Sequence, residues 1–115
     1  MTATLEQLAL CERFQSEVVP ADPYSKLGIA ISTLNLIPLN ASRHKQANGT
    51  CGWYIHGGKY STDADFYQPI HVAHLAKYCP QFIPYLALAP GWRILLAPEY
   101  EDVWFDERCL NETNA

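Results

Sequence analysis

The chain has 115 residues, within the usual range of one domain, with hydrophobic residues at 49% and charged residues at only 17%. That balance supplies apolar surface for one core and excludes a disordered chain, which needs the opposite. The formal net charge of −4 and the lack of any apolar run of about 20 residues argue against nucleic acid or a membrane as the partner.

Thr4-Leu5-Glu6-Gln7 has the pattern of a capping box, with Thr4 capping and Gln7 reaching back. Leu5, Leu8, Cys11, Phe14 and Val18 then recur at helical spacing and predict an amphipathic helix with that stripe buried. Pro20 and Pro23 end it, since neither can continue the hydrogen-bond ladder. Leu27, Ile29 and Ile31 alternate and predict a strand over 28–34. The polar stretch 38–49 reads as a loop, or as a hairpin connection with a short extension. Gly52-Trp53-Tyr54-Ile55-His56 is a second strand, broken by Gly57-Gly58.

Pro69 stands where the first turn of a helix accepts proline, so a second helix is expected over 70–78, stopping before Pro80. Pro90-Gly91 is a turn. Trp92 to Ala97 and Asp102 to Asp106 read as a strand hairpin, and 111–115 as a frayed polar tail. Four strands and two helices out of strict alternation predict an α+β fold of two layers. The expected architecture is a mainly antiparallel four-stranded sheet with two helices packed on one face, as a single domain over 1–115.

The amino-terminal residues lack the basic start and apolar core of a signal peptide, so a cytoplasmic protein is expected. The four cysteines, Cys11, Cys51, Cys79 and Cys109, are far apart and contain no CxxC pair. In a reducing compartment they read as buried thiols. Arg43-His44-Lys45 is the densest basic group and is too short for a nucleic-acid tract.

No catalytic motif emerges. His71 and His74 share one flank of the expected second helix while Cys79 falls on its apolar face, so the three do not converge on a metal. Cys51 and His56 point to opposite faces of their strand, and Ser61 lies in no nucleophile signature. No cofactor is implied. The acidic hairpin is more suggestive: Glu99, Glu101, Asp102, Asp106 and Glu107 occur with no basic residue between them. With Val103 and Phe105 inward, Asp102, Trp104 and Asp106 share the outer face, a tryptophan rimmed by carboxylates. Tyr54 and His56 join that face if the strands are neighbours. Arg93, alone in an apolar strand, must emerge at an edge or pair with an acid.

Several segments in order resemble one bacterial family: Gly52-Trp53-Tyr54-Ile55, then Asp65-Phe66-Tyr67-Gln68-Pro69-Ile70-His71-Val72 with His74-Leu75. Pro84-Tyr85-Leu86, Pro90-Gly91-Trp92-Arg93 and Glu101-Asp102-Val103-Trp104-Phe105-Asp106 continue the match. The family is immunity protein family 33, and the resemblance spans Gly52 to Asp106. It implies a cytoplasmic, non-enzymatic protein that binds and blocks a cognate polymorphic toxin. The expected contact residues are Trp104, Asp102, Asp106, Glu101, Tyr54 and His56. Two rivals stay open: a regulatory interaction domain with another protein partner, and a small metal protein or enzyme using His71 and His74. Open sheet edges also allow a homodimer.

Overall fold

The computed structural model describes residues 2–111. Its centre is a six-stranded sheet built from β1 (Lys26–Ile29), β2 (Leu39–Arg43), β3 (Thr50–Gly57), β4 (Gln68–His71), β5 (Trp92–Ala97) and β6 (Tyr100–Phe105). The order across the sheet is β4-β1-β3-β2-β5-β6. Only β1 and β3 run parallel, and every other neighbouring pair is antiparallel. The α+β class and the mainly antiparallel sheet match the sequence reading; the strand count does not.

The two unforeseen strands have plain physical causes. In β2, Leu39, Ala41 and Arg43 face inward while Asn40 and Ser42 face out. An arginine at the third inward position makes the segment look like a polar loop. β4 contains Pro69, which is tolerated because β4 is an edge strand whose second side has no ladder to feed. Pro69 therefore does not open a helix. The expected second helix is instead a short 3-10 helix, Val72–Lys77, and a further 3-10 helix, Pro80–Tyr85, follows beyond its expected end. A small helix α2, Arg108–Asn111, follows β6 and includes Asn111 of the expected tail; 112–115 lie outside the described residues.

Helix α1 spans Leu5–Phe14, and both hydrogen bonds of its capping box are present, Gln7 N–H to Thr4 Oγ1 at 3.1 Å and Thr4 N–H to Gln7 Oε1 at 3.0 Å. It ends at Gln15, which takes a left-handed conformation with φ of 61°, before either proline. Its buried side is turned from the expected one. Gln7 and Cys11 are buried with Leu10 and Phe14 against the core, whereas Leu5 is 86% exposed. Gln7 tolerates this position because its side-chain amide donates to the Ile83 carbonyl at 2.8 Å.

Cys11, Val72, Leu75, Phe82 and Tyr85 of the helical layer pack on Leu27, Ile29, Ala41, Trp53, Ile55 and Ile94 of the sheet. All four cysteines are free thiols and buried. Among the described residues no helix is long and apolar enough to cross a membrane.

Arg43 lies in the middle of this core with 0% exposure. Its Nε donates to the Cys51 carbonyl at 3.0 Å. Its Nη1 donates to the carbonyls of Val19, Leu86 and Leu88 at 2.6, 3.1 and 2.7 Å, and its Nη2 donates to Gln46 Oε1 at 3.2 Å. The residue is thus not part of a surface basic group. Burial pushes its pKa down from the ordinary value. We expect Arg43→Ala to lower stability by on the order of 3 kcal/mol or more, because several buried acceptors lose their donor together. Arg43→Lys should recover only part of that, since an ammonium cannot reproduce the guanidinium fork. Urea denaturation measures both, and an alanine variant as stable as the parent would exclude the role.

Candidate functional site

The helical layer covers one face of the sheet, and strand alternation places a different set of side chains on the other. Register aligns them in two rows. Tyr54 lies opposite Ser42, Ser42 opposite Arg93, and Arg93 opposite Trp104. In the adjacent row His56 lies opposite Asn40, Asn40 opposite Leu95, and Leu95 opposite Asp102. Tyr54, His56, Trp104 and Asp102 therefore share the outer face, as the alternation predicts. They are not immediate neighbours: β2 and β5 stand between β3 and β6, a separation of about 14 Å at ordinary strand spacing.

One end of this face is an aromatic patch. Tyr54 meets Tyr67 edge-on at 5.1 Å and His44 at 5.4 Å between ring centroids. Phe66 and Tyr60, from the segment after β3, surround His56 at 5.6 and 6.0 Å. The Tyr67 hydroxyl and His56 Nδ1 are hydrogen-bonded at 3.3 Å. Burial, followed by the charge of Arg93, pushes the His56 pKa down. Burial also raises the Tyr67 hydroxyl to about 12. Both groups are therefore uncharged near neutral pH, and the patch presents flat amphipathic rings. Gly28 makes the arrangement feasible. A Cβ there would lie 2.6 Å from Tyr54 Cδ1, so the ring lies directly over glycine backbone.

At the other end, Trp104 stands beside Arg93, whose guanidinium carbon is 5.9 Å from the ring centroid. Asp102 is exposed next to it. Asp106 also lies at this end, but it is buried and held by Arg108, with Nε to Oδ1 at 2.9 Å and Nη2 to Oδ2 at 2.8 Å. It closes the end of β6 rather than standing free as a rim. Arg93 is only loosely paired with it, at 3.9 Å.

Glu101 lies on the opposite side from Trp104, because alternation turns it towards the helical layer. It accepts from Arg13 of α1 at 2.6 Å and from the Tyr85 hydroxyl. Burial and then this bond to Glu101 raise the pKa of Tyr85. Glu101 thereby ties α1 and the Pro80–Tyr85 helix to the open edge of the sheet. Of the expected contact residues, then, the structure brings Trp104, Asp102, Tyr54 and His56 onto one surface and commits Glu101 and Asp106 to ion pairs with Arg13 and Arg108. Tyr67, Phe66, Tyr60, His44 and Arg93 belong to that surface and were not among the expected contacts. For Tyr60, Phe66 and Tyr67 the sequence signal is the aromatic density of the 54–67 segment, and for Arg93 it is a lone charge in an apolar strand; His44 carries none.

His71 and His74 are exposed, with rings 5.7 Å apart, on the end of β4 and in the Val72–Lys77 helix; Cys79 is buried. Among the described residues no three His, Cys, Asp or Glu side chains gather in a way that could hold a metal ion.

In comparisons with known proteins, the Imm33-like domain matches residues 6–106. No curated protein and no solved structure matches the chain.

The carboxyl of Asp106 is pulled down to about 2, chiefly by the Arg108 side chain, with burial opposing. A value depressed on folding stabilises above the ordinary carboxylate pKa, and that stability is lost as pH falls through about 4 towards about 2. Removing the guanidinium in Arg108→Ala should return Asp106 towards its ordinary value. The stability gap between parent and variant should then close as pH falls through this window. Thermal midpoints between about pH 6 and 2 test it; a gap that stays constant would exclude Arg108 as the cause.

Proposed function

Because the chain belongs to the Imm33-like family, we propose that it neutralises a cognate bacterial toxin by direct, non-enzymatic contact through the outer face of its sheet. One observation carries this reading: Tyr54, Arg93 and Trp104 fall in one cross-strand row on the face opposite the helical layer, with His56 and Asp102 in the next row. Tyr, Trp and Arg are the residue types that dominate binding hot spots, because each offers a large rigid surface with a polar end. Here they are half-buried by their own neighbours. Their positions are already restricted, and little side-chain entropy remains to be lost on docking.

Trp104, Tyr54 and His56 are the anchors of this reading, and exposed Asp102 supplies a rim charge for a cation on the toxin. Glu101 and Asp106 act at one remove, by holding β6 to α1 and α2. A cytoplasmic site of action fits four unpaired cysteines, which a reducing compartment preserves. Neither nucleic acid nor a membrane surface is part of the reading, in keeping with the net charge of −4. Self-association through β6 is disfavoured by Glu101 and Asp102 along that edge.

The role is tested by expressing the neighbouring reading frame in a naive bacterial host with and without this protein. Killing that co-expression rescues is the expected result; killing that continues regardless removes the reading. With the toxin in hand, Trp104→Ala should weaken binding by about 2 kcal/mol or more, about thirtyfold in Kd, while the protein stays folded. Glu101→Gln should instead lower the melting temperature and leave Kd nearly unchanged. Calorimetric titration and circular dichroism separate these outcomes. Full toxin affinity in Trp104→Ala would move the contact elsewhere.

A further inference from the structure

We infer that the cleft beside Trp104 is an anchor pocket for a single carboxylate side chain of the protein partner. This rests on the outer-face reading above and assigns the chemistry of its β5–β6 end. The cleft has a volume of about 470 Å³ and is lined by His44, Arg93, Trp104, Asp106, Arg108 and Cys109.

Charge pairing in its wall is unequal. Asp106 is already occupied by Arg108, which donates its backbone N–H at 3.1 Å as well as both side-chain bonds. Among the described residues Arg93 is left with a carboxylate oxygen at 3.9 Å and, as its side-chain hydrogen-bonding contact, the weak acceptor Cys109 Sγ at 3.8 Å. Two guanidinium groups face one carboxylate, so the wall keeps a positive charge within an acidic chain. The Arg93 side chain lines the cleft and is 37% exposed, so it is open to a ligand entering there. The Trp104 ring beside it limits hydration on one side. That is how an arginine is prepared for bidentate pairing with a planar anion.

A carboxylate fits better than a phosphate. One loosely paired guanidinium neutralises one negative charge. Asp106 in the wall and Asp102 in the neighbouring row would repel a dianion or the backbone of a nucleic acid. The occupant is therefore an aspartate or glutamate on the partner's surface. The acidic hairpin suggests a purely basic partner; the cleft requires an acid on that partner as well. Opposite charges at two points, Asp102 and Arg93, set the register in which the partner docks.

The test uses the full chain labelled with nitrogen-15 and two probes, N-acetyl-aspartate N-methylamide and its asparagine counterpart. The Trp104 indole N–H and Arg93 Nε–H signals should shift saturably with the aspartate probe only. Added salt should weaken the response, and Arg93→Gln should abolish it while Arg93→Lys keeps part. An equal response to the asparagine probe, a stronger one to inorganic phosphate, or none with either amide would overturn the assignment. Toxin binding separates the two levels. Arg93→Gln should raise Kd about thirtyfold. If Arg93→Gln keeps full affinity while Trp104→Ala loses it, the carboxylate pocket fails and the outer face stands. If both keep full affinity, the outer face itself fails.

Discussion

A guanidinium sealed inside the protein, with no carboxylate paired to it among the described residues, governs how the rest of the chain is arranged. Moving a charged group out of water is expensive unless its donors are met. Arg43 meets that requirement with main-chain oxygens, those of Val19, Cys51, Leu86 and Leu88. These belong to segments that are remote in sequence and, apart from Cys51, make little regular pairing of their own. The Leu86 carbonyl also accepts the Trp53 indole N–H at 2.9 Å, and the Arg43 carbonyl accepts Gly91 N–H at 2.7 Å. The segment leading into β5 is thereby fixed from both sides. Neutral acceptors fit this task better than one carboxylate would, because they draw several pieces of backbone to a single point.

From that point the two faces of the sheet acquire different roles. The inner face receives α1 and the 3-10 helices Val72–Lys77 and Pro80–Tyr85, joined through Gln7 to Ile83 and through Glu101 to Arg13 and Tyr85. With its apolar demand met there, the outer face is free to carry residues that do not serve the core. It bears only light cover, from the aromatic segment 60–67 at one end and Cys109 of α2 against Arg93 at the other. A rigid sheet with a half-covered aromatic surface restricts side-chain freedom before any partner arrives, which favours slow dissociation over adaptability.

The parts of this plan visible in the sequence are those with a local cause. The capping box at Thr4, the Trp92–Ala97 strand and the inward Trp53 all follow from short-range spacing. Most of the parts that escaped depend on contacts between residues distant in sequence. Arg43 looks like surface charge until the carbonyls of Leu86 and Leu88 surround it. Gln7 looks like an outward residue until Ile83 accepts its amide, and that exchange turns α1 so that Leu5 faces out. Alternation correctly separates Asp102 from Val103. It cannot reveal that Glu101 meets Arg13, which comes from α1, or that the turn into α2 folds Arg108 onto Asp106, because alternation says nothing beyond the strand.

That last difference changes the electrostatic argument for recognition. As a sequence, the run from Glu99 to Glu107 suggests a concentrated negative field that would draw a basic partner from a distance. In the folded chain Glu101 is paired with Arg13 and Asp106 with Arg108, so only Glu99, Asp102 and Glu107 keep their charge clear of an ion pair among the described residues. Arg93 then places a positive charge next to Trp104 on the same face. A partner docking there would meet alternating signs a few ångströms apart, a pattern that largely cancels beyond a Debye length of about 8 Å in physiological salt. Long-range attraction therefore contributes less than the composition implies. Selectivity has to come from short-range matching, in which a wrong partner leaves either Asp102 or Arg93 desolvated and unpaired against a wall of aromatic rings.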